Sequence, residues 1–385
     1  MSAPRARVLI VDDDPGVLRA ASRVLSTHHQ VFEISRPAEA IERLREIRPD
    51  VAVCDIRMPD MDGFELTRRL RELQPDLDVI LMTGSHSEPD ANLVRALRQQ
   101  AYYFIQKPFH RDVLDTLVER CLETRRLREA QARLLKRLGD ELGEARLFQQ
   151  TMLAPESGTI GPVRVAARWR ACSELGGDFY DYGDLGDGRV AFIVADVRGH
   201  GATAALFTAM VKAVFRSGRG AAFSPAAVVR QLAGWLDAFG PDRFVTVFCA
   251  VLDPTRLTLD YVNAGHPPAL LRAPGAEPES LASTGPLVSS VFADEGWHSE
   301  RSDLPEGAEV LVYTDGVFDA PMGGSRYPVQ ALLDHARSSE RSSALLDAIL
   351  ADIDARAAGR PMGDDVTLLS VACDALDRGG PGGYK

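Results

Sequence analysis

The chain has 385 residues, of which 45% are hydrophobic and 26% charged, and a formal net charge of -11. That length suggests two or three domains with sizeable cores, and the composition is ordinary for a globular protein. The acidic balance argues against a dominant nucleic-acid or anionic-membrane surface.

The opening MSAPRARVLIVDDD has too short an apolar run for a signal peptide, and no later stretch approaches a membrane span. From residue 8 to about 123, short apolar runs alternate with amphipathic stretches of helix length. The runs are residues 8–11, 31–34, 51–54, 79–82 and 103–105. Helices are predicted at 15–27, 37–47, 64–73 and 91–99, with a fifth beginning near 110. Continuous apolar strands separated by helices imply a five-stranded parallel sheet covered on both faces. The expected product is an open, doubly wound α/β fold of flavodoxin type, with its site at the strands' C-terminal ends.

The polar residues at those ends form one chemical group. Asp12, Asp13 and Asp14 follow the first run, Asp55 the third and Thr83 the fourth, while Lys107-Pro108 follows the fifth. Clustered carboxylates repel unless a cation joins them, which implies a hard ion such as Mg²⁺. The lysine offers a point charge for a phosphoryl oxygen and the threonine a hydroxyl donor. Asp55 is the candidate nucleophile, forming an acyl phosphate.

The motifs VLIVDDD, CDIRMPDMDG, MTG and IQKP resemble those of the response-regulator receiver family, and the resemblance spans residues 6–120. It implies phosphorylation at Asp55 by an upstream sensor histidine kinase and one Mg²⁺ held by Asp12, Asp13 and Asp55. Switching would run through Thr83, Phe104 and Lys107.

Residues 110–153 contain no proline and only two glycines, Gly139 and Gly143. Apolar positions at Leu114, Leu117, Cys121, Leu127, Leu134, Leu138, Leu142 and Ala145 recur mostly at steps of three, four or seven. A long amphipathic helix is predicted, either packed on its own domains or forming a two-stranded coiled coil that makes the chain a homodimer. The glycines should weaken its end.

Past Pro155 strand-like runs appear at 163–169, 189–194, 246–252, 257–263, 269–272, 309–313 and 366–371. Helices are predicted at 202–215, 225–239, 327–336 and 343–357. Strands in runs with helices grouped between them suggest an α+β domain with two packed, largely antiparallel sheets.

Acids mark the ends of these strands. Asp178 in GGDFYDY comes shortly after a strand and a glycine pair, and Asp196 in ADVRGHG ends the run AFIV. Asp315 in VYTDGVFDA follows EVLVY, and Asp364 and Asp365 in MGDDVTLL precede VTLLSV. Each alone reads as a turn aspartate. Together, with no lysine or arginine balancing the four sites, they imply cations. Oxygen-only ligands select Mg²⁺ or Mn²⁺ over zinc. Two such ions would clamp and activate a water for in-line attack on phosphorus, which leaves phosphatase, nuclease and cyclase chemistry all open.

GGDFYD, ADVRGHGATAAL, NAGHPPALL, YTDGV and GDDVTLL resemble the bacterial metal-dependent serine/threonine phosphatases of the PPM type, in the branch of stage II sporulation and stress-sigma regulators. The resemblance covers about 165–372 and implies a four-layer αββα sandwich with two Mn²⁺ or Mg²⁺ ions. By motif, Asp196 would bridge both ions, with Asp178 and the Val197 carbonyl on one and Asp315 and Asp364 on the other. Asp365 falls at the family's second Asp/Asn.

Arg198 departs from the small residue usual in that family. It would either grip substrate phosphate or point away into a salt bridge. His200 is a candidate general acid or a hydrogen-bonded loop residue, and His266 reads as structural.

The implied organisation is a receiver at 1–122, a helical linker at 123–153, a phosphatase domain at 154–374 and a disordered tail at 375–385. The implied activity is dephosphorylation of a phosphoserine or phosphothreonine protein resembling an anti-sigma-factor antagonist, under control of Asp55. The alternative is a phosphatase-like module that sequesters a partner. Neither a basic stripe nor a helix-turn-helix candidate follows the receiver, so no nucleic-acid or membrane partner is expected. The five cysteines, Cys54, Cys121, Cys172, Cys249 and Cys373, stand singly, which suits reduced thiols and a cytoplasmic protein.

Overall fold

A computed structural model describes residues 5–84, 103–199, 201–220, 222–240, 242–292, 295–319, 326–338 and 340–374. The helix predicted at 91–99, His200 and the tail 375–385 lie outside the described residues. The chain divides into two compact units, Met1–Leu138 and Gly139–Lys385.

In the first unit, strands β1 (Arg7–Val11), β2 (Gln30–Ile34), β3 (Val51–Asp55), β4 (Asp78–Thr83) and β5 (Tyr103–Gln106) form one sheet in the order β2-β1-β3-β4-β5. All its pairings are parallel. The two-residue period sorts β1 between two cores. Leu9 and Val11 pack with Leu44 and Phe64 of helices α2 (Pro37–Ile47) and α3 (Gly63–Leu73). Val8 and Ile10 pack with Leu18 of α1 (Pro15–Leu25) and Leu114 of the long helix α4 (Arg111–Met152).

Caps set where two of these helices start. Asp14 precedes Pro15 and accepts the Gly16 amide at 2.6 Å, and Asp62 accepts the Glu65 amide at 2.7 Å. Gly63 is demanded by space, because a Cβ there would lie 2.1 Å from the Asp55 carbonyl oxygen.

Helix α4 has 42 residues and runs through both Gly139 and Gly143, so neither glycine breaks it. Its first turns bury Leu114, Val118 and Cys121, whereas Leu127, Leu134, Leu138 and Leu142 are exposed.

The second unit holds two antiparallel sheets. One is β14-β11-β10-β9-β8, comprising Glu300–Asp303, Thr258–Ala264, Val245–Asp253, Val190–Val197 and Asp178–Asp184. The other is β13-β12-β15-β16-β7-β6, comprising Glu279–Leu281, Ala269–Arg272, Glu309–Tyr313, Val366–Cys373, Val163–Arg170 and Ser157–Ile160.

Alternation along the strands builds three cores. Phe192, Val194 and Phe248 meet Val310, Val312 and Leu369 between the sheets. Ile193 and Cys249 face outward onto Val211 of α5 (Ala202–Ser217) and Val229 of α6 (Pro225–Leu236). Leu311 and Leu368 face the other way, onto Leu332 of α7 (Val329–Arg337) and Ile349 of α8 (Ser343–Ala357). The layers are therefore helix, sheet, sheet, helix.

Four strands escape the sequence pattern. β6, β13 and β14 are short and polar (SGTI, ESL, ERSD), with exposed residues that no apolar alternation marks. β8, DFYDYGD, hides behind its acids. Asp178 therefore opens a strand rather than occupying a loop.

Candidate functional site

The parallel sheet brings the receiver acids together as its topology requires. Asp12 and Asp55 are buried, Asp13 is exposed, and oxygens of all three lie within 4.8 Å of one another. The Lys107 ammonium sits 2.6 Å from Asp12 Oδ2 and 2.8 Å from Asp55 Oδ1. Burial pushes Asp12 above the usual carboxylate range, and its hydrogen bond to Lys107 opposes that shift. Burial disfavours the charged ammonium, but the hydrogen bonds to Asp12 and Asp55 hold Lys107 above its ordinary value. Thr83 ends β4 opposite Gln106, and its carbonyl accepts the Lys107 amide at 2.7 Å. Phe104 is half-buried against the core beneath α2 and α3.

In the second unit, Asp178 of β8 stands directly opposite Asp196 of β9, and Asp196 opposite Thr246 of β10. Residues paired in this way point to the same face, so the two acids share one end of the sheet. Asp178 is buried, and its Oδ2 accepts the Thr314 hydroxyl at 2.7 Å and the Thr367 hydroxyl at 2.6 Å. Those threonines come from the ends of β15 and β16, so they tie the second sheet to the first.

Asp315 opens a one-turn helix after β15. Gly316 lets that turn meet the other acidic pair, since a Cβ there would lie 1.8 Å from the Asp365 carbonyl oxygen. Asp364 Oδ1 accepts the Asp365 amide at 2.8 Å.

The acids shift one another. Asp178 lies well above the carboxylate range through burial and then through Asp196, with both hydroxyls opposing. Asp196 is pushed up to about 7 by burial and then by Asp315, Asp364 and Asp365. Burial and then Asp319 raise Asp315, and burial with Asp315 and Asp365 raises Asp364. Among the described residues, no lysine or arginine forms an ion pair with any of these four.

Asp365 faces differently. Its Oδ1 accepts the Cys172 amide at 2.7 Å and its Oδ2 the Gly177 amide at 2.5 Å. Both oxygens thus hold the loop that delivers Asp178. Cys172 joins Asp364 and Asp365 in a cluster of possible ligand atoms within 4.8 Å, a neighbour nothing in the sequence singles out. Burial pushes its thiol up to about 12.

The Val197 amide donates to the Gly177 carbonyl at 3.1 Å. A Cβ on Gly177 would come within 2.5 Å of the Val197 carbonyl oxygen, so glycine alone leaves that carbonyl room.

Arg198 forms no salt bridge among the described residues. Its guanidinium lies over the Phe244 ring at 5.1 Å and donates to the Asp242 carbonyl at 3.3 Å, with no carboxylate partner. His266 is buried, with Nδ1 2.9 Å from the Thr246 hydroxyl and its amide on Asn263 Oδ1 at 2.9 Å. Burial lowers it to about 3, so it is neutral.

Residues 8–119 match the response regulator receiver domain, and residues 186–374 match Stage II sporulation protein E (SpoIIE). The chain is a receiver domain joined to a SpoIIE/PP2C-family phosphatase domain. It is 34% identical over 203 residues to phosphoserine phosphatase RsbP of Bacillus subtilis, a match covering 51% of this chain and 49% of RsbP. Over 124 residues it is 41% identical to the C4-dicarboxylate transport transcriptional regulatory protein DctD of Pseudomonas aeruginosa, covering 32% of this chain and 26% of DctD.

The chain thus spans about half of one relative and a quarter of the other. In fold, the SiaA-PP2C domain of Pseudomonas aeruginosa aligns with a TM-score of 0.55 at 23% identity, covering 63% of this chain and 99% of that domain. This receiver–phosphatase fusion has no helix, among the described residues, long and apolar enough to cross a membrane.

Proposed function

We propose that the chain hydrolyses phosphoserine or phosphothreonine on a protein substrate and that phosphorylation of Asp55 controls this activity. The observation that carries the reading is the cross-strand pair of buried Asp178 and half-buried Asp196, both raised by burial and then by neighbouring acids, with no lysine or arginine paired to either among the described residues. Such a donor set, all carboxylate and carbonyl oxygen, fits hard divalent ions. Asp178, Asp196 and the Val197 carbonyl would hold one Mn²⁺ or Mg²⁺, and Asp196, Asp315 and Asp364 the other. When bound, such ions lower the pKa of water and neutralise phosphoryl charge.

The chain's own residues do the positioning. Thr314 and Thr367 orient the inner carboxylate, Asp365 holds its loop by two amides, and Gly177 keeps the Val197 carbonyl clear. In the net reaction a water oxygen bonds to phosphorus, the phosphorus–oxygen bond to serine breaks, and the serine oxygen takes a proton.

In the receiver, Asp12, Asp13 and Asp55 would hold one Mg²⁺. An Asp55 oxygen would attack the phosphorus of a sensor kinase's phosphohistidine, the phosphorus–nitrogen bond would break and imidazole would leave. Lys107, already 2.8 Å from Asp55, is placed to meet the new phosphoryl group, with Thr83 and Phe104 reporting it. RsbP, named a phosphoserine phosphatase, supports phosphoserine as the substrate group, and the motif resemblance to stress-sigma regulators supports an anti-sigma-factor antagonist as the protein that carries it. The exposed leucines of α4, at steps of seven, four and four from Leu127, support a homodimer through that helix. The free cysteines support a cytoplasmic setting.

The test is hydrolysis of p-nitrophenyl phosphate by the full chain with Mn²⁺. Asp196→Asn should cost at least about a hundredfold in kcat, on the scale of losing one key charge-stabilising group. Wild type as inert as the variant would favour a sequestering module. Activity that does not change on adding acetyl phosphate, in wild type and Asp55→Ala alike, would end the switch.

A further inference from the structure

Beside the acidic site, helices α5 and α6 leave an apolar groove of about 460 Å³. Leu206, Phe207, Met210, Trp235 and Phe239 line it, and Arg243 closes one side. Leu206 is 73% exposed, Phe239 56% and Trp235 52%, so three large apolar side chains stand in water next to one another. A cluster of this kind on a folded domain marks a contact surface. Within it Phe207 and Phe239 pack edge to face with centroids 5.0 Å apart.

Two further observations say what it contacts. First, the groove continues the site: the strand carrying Asp196 leads through Gly201 directly into α5 at Ala202, and Leu206 lies one turn further on. A phosphoresidue held near Asp196 would have its flanking chain within reach of that turn.

Second, the charges here are unanswered. Arg243 lies over the Phe207 ring at 5.8 Å and Arg198 over Phe244 at 5.1 Å. Among the described residues neither meets a carboxylate. In a chain of net charge -11, Arg243 on the groove wall and Arg198, bonded to the carbonyl of the adjacent Asp242, suit an acidic partner.

We infer that this groove is the docking surface for the protein substrate, which inserts an apolar side chain between Leu206 and Trp235 and sets acidic residues on Arg243 and Arg198. The inference rests on the phosphatase reading and adds to it how a protein is chosen over a small phosphate ester. An anchor in a pocket with flanking charges is the usual way a few residues carry an interface.

The experiment compares two fluorescent phosphoserine peptides, one with leucine and glutamate flanks and one with alanine and lysine flanks, alongside p-nitrophenyl phosphate. Full-length, Mn²⁺-loaded wild type should prefer the acidic leucine peptide by about tenfold in kcat/KM. Trp235→Ala combined with Leu206→Ser, and separately Arg243→Glu, should raise KM for that peptide about tenfold and leave p-nitrophenyl phosphate hydrolysis within twofold. All three residues are exposed, so the variants should fold.

Equal use of both peptides, or variants with unchanged KM, would overturn the inference. So would a fall in sedimentation mass on Trp235→Ala, which would give the groove to a second copy of the chain. If wild type hydrolyses neither peptides nor ester, the phosphatase reading fails. Peptide anisotropy then decides the groove alone: tenfold weaker binding by the variants upholds it and equal binding rejects it.

Discussion

The two acidic centres solve the same electrostatic problem in opposite ways. In the receiver, Lys107 lies within 2.8 Å of both Asp12 and Asp55 and offsets their repulsion from inside the fold. In the phosphatase domain, Asp178 and Asp196 are cross-strand neighbours with further acids beside them, and Asp178 accepts two threonine hydroxyls where the receiver has an ammonium. Hydroxyls orient a carboxylate without neutralising it. The first centre therefore offsets its repulsion before any ion binds, whereas the second carries repulsion that a bound cation would relieve.

This contrast breaks most sharply under metal titration. Trp169, Trp235 and Trp297, the only tryptophans in the sequence, all lie in the phosphatase domain, so intrinsic fluorescence reports its unfolding alone. At a hundred times its dissociation constant, Mn²⁺ should stabilise that domain by about 2.7 kcal/mol, read as a higher urea midpoint. Asp196→Asn should lose most of that gain and, without metal, should exceed wild type in stability, because one of two facing charges is gone. A wild-type midpoint that ignores Mn²⁺ would mean the acids are not a cation site.

The receiver sharpens the comparison from the other side. Lys107→Met removes the internal cation and leaves Asp12 facing Asp55. Breaking a buried ion pair costs about 3–5 kcal/mol. Lys107 retains some contact with water, so the expected loss is smaller, about 2 kcal/mol. Hydrogen exchange of the β1 and β3 amides, read by mass spectrometry, should show faster opening in the variant, with partial recovery on adding Mg²⁺. Unchanged exchange would show that the lysine does not hold the pocket.

Much of this was legible in the chain because apolar periodicity and strand-end acids are local signals. The bounds of α2 and α8, and of the strands Ala269–Arg272 and Glu309–Tyr313, follow directly from that periodicity. What was not legible depends on distant residues meeting. Asp365 reaches the Cys172 amide across 193 positions and the Gly177 amide across 188, so its holding role has no sequence trace. Thr314 and Thr367 had a weak one, each standing beside an acid motif, in YTDG and DDVT. The strand DFYDYGD was hidden because its function put aspartates where a core strand carries apolar residues. Nor could Arg198 be placed, since Phe244 and Asp242 come from the loop that leads into the neighbouring strand.

The smallest expected effect concerns the residue that borders the acidic row without joining it. His266 is buried and neutral, lowered from 6.5 to about 3 by desolvation, and meets the row through the Thr246 hydroxyl. Because the folded value lies below the unfolded one, the unfolded chain takes up a proton first as pH falls. Stability from this group is therefore intact above about pH 6.5 and declines below it, by about 1.4 kcal/mol per pH unit, until the folded chain also protonates near pH 3. His266→Gln, which keeps a polar group for Thr246, removes the titration. The variant should be the less stable form at pH 7, through lost packing. Its tryptophan-monitored urea midpoint should then converge on that of wild type between pH 6.5 and 5. Parallel midpoints over that interval would show that the histidine protonates without cost, and that the boundary of the acidic row is wetter than its burial implies.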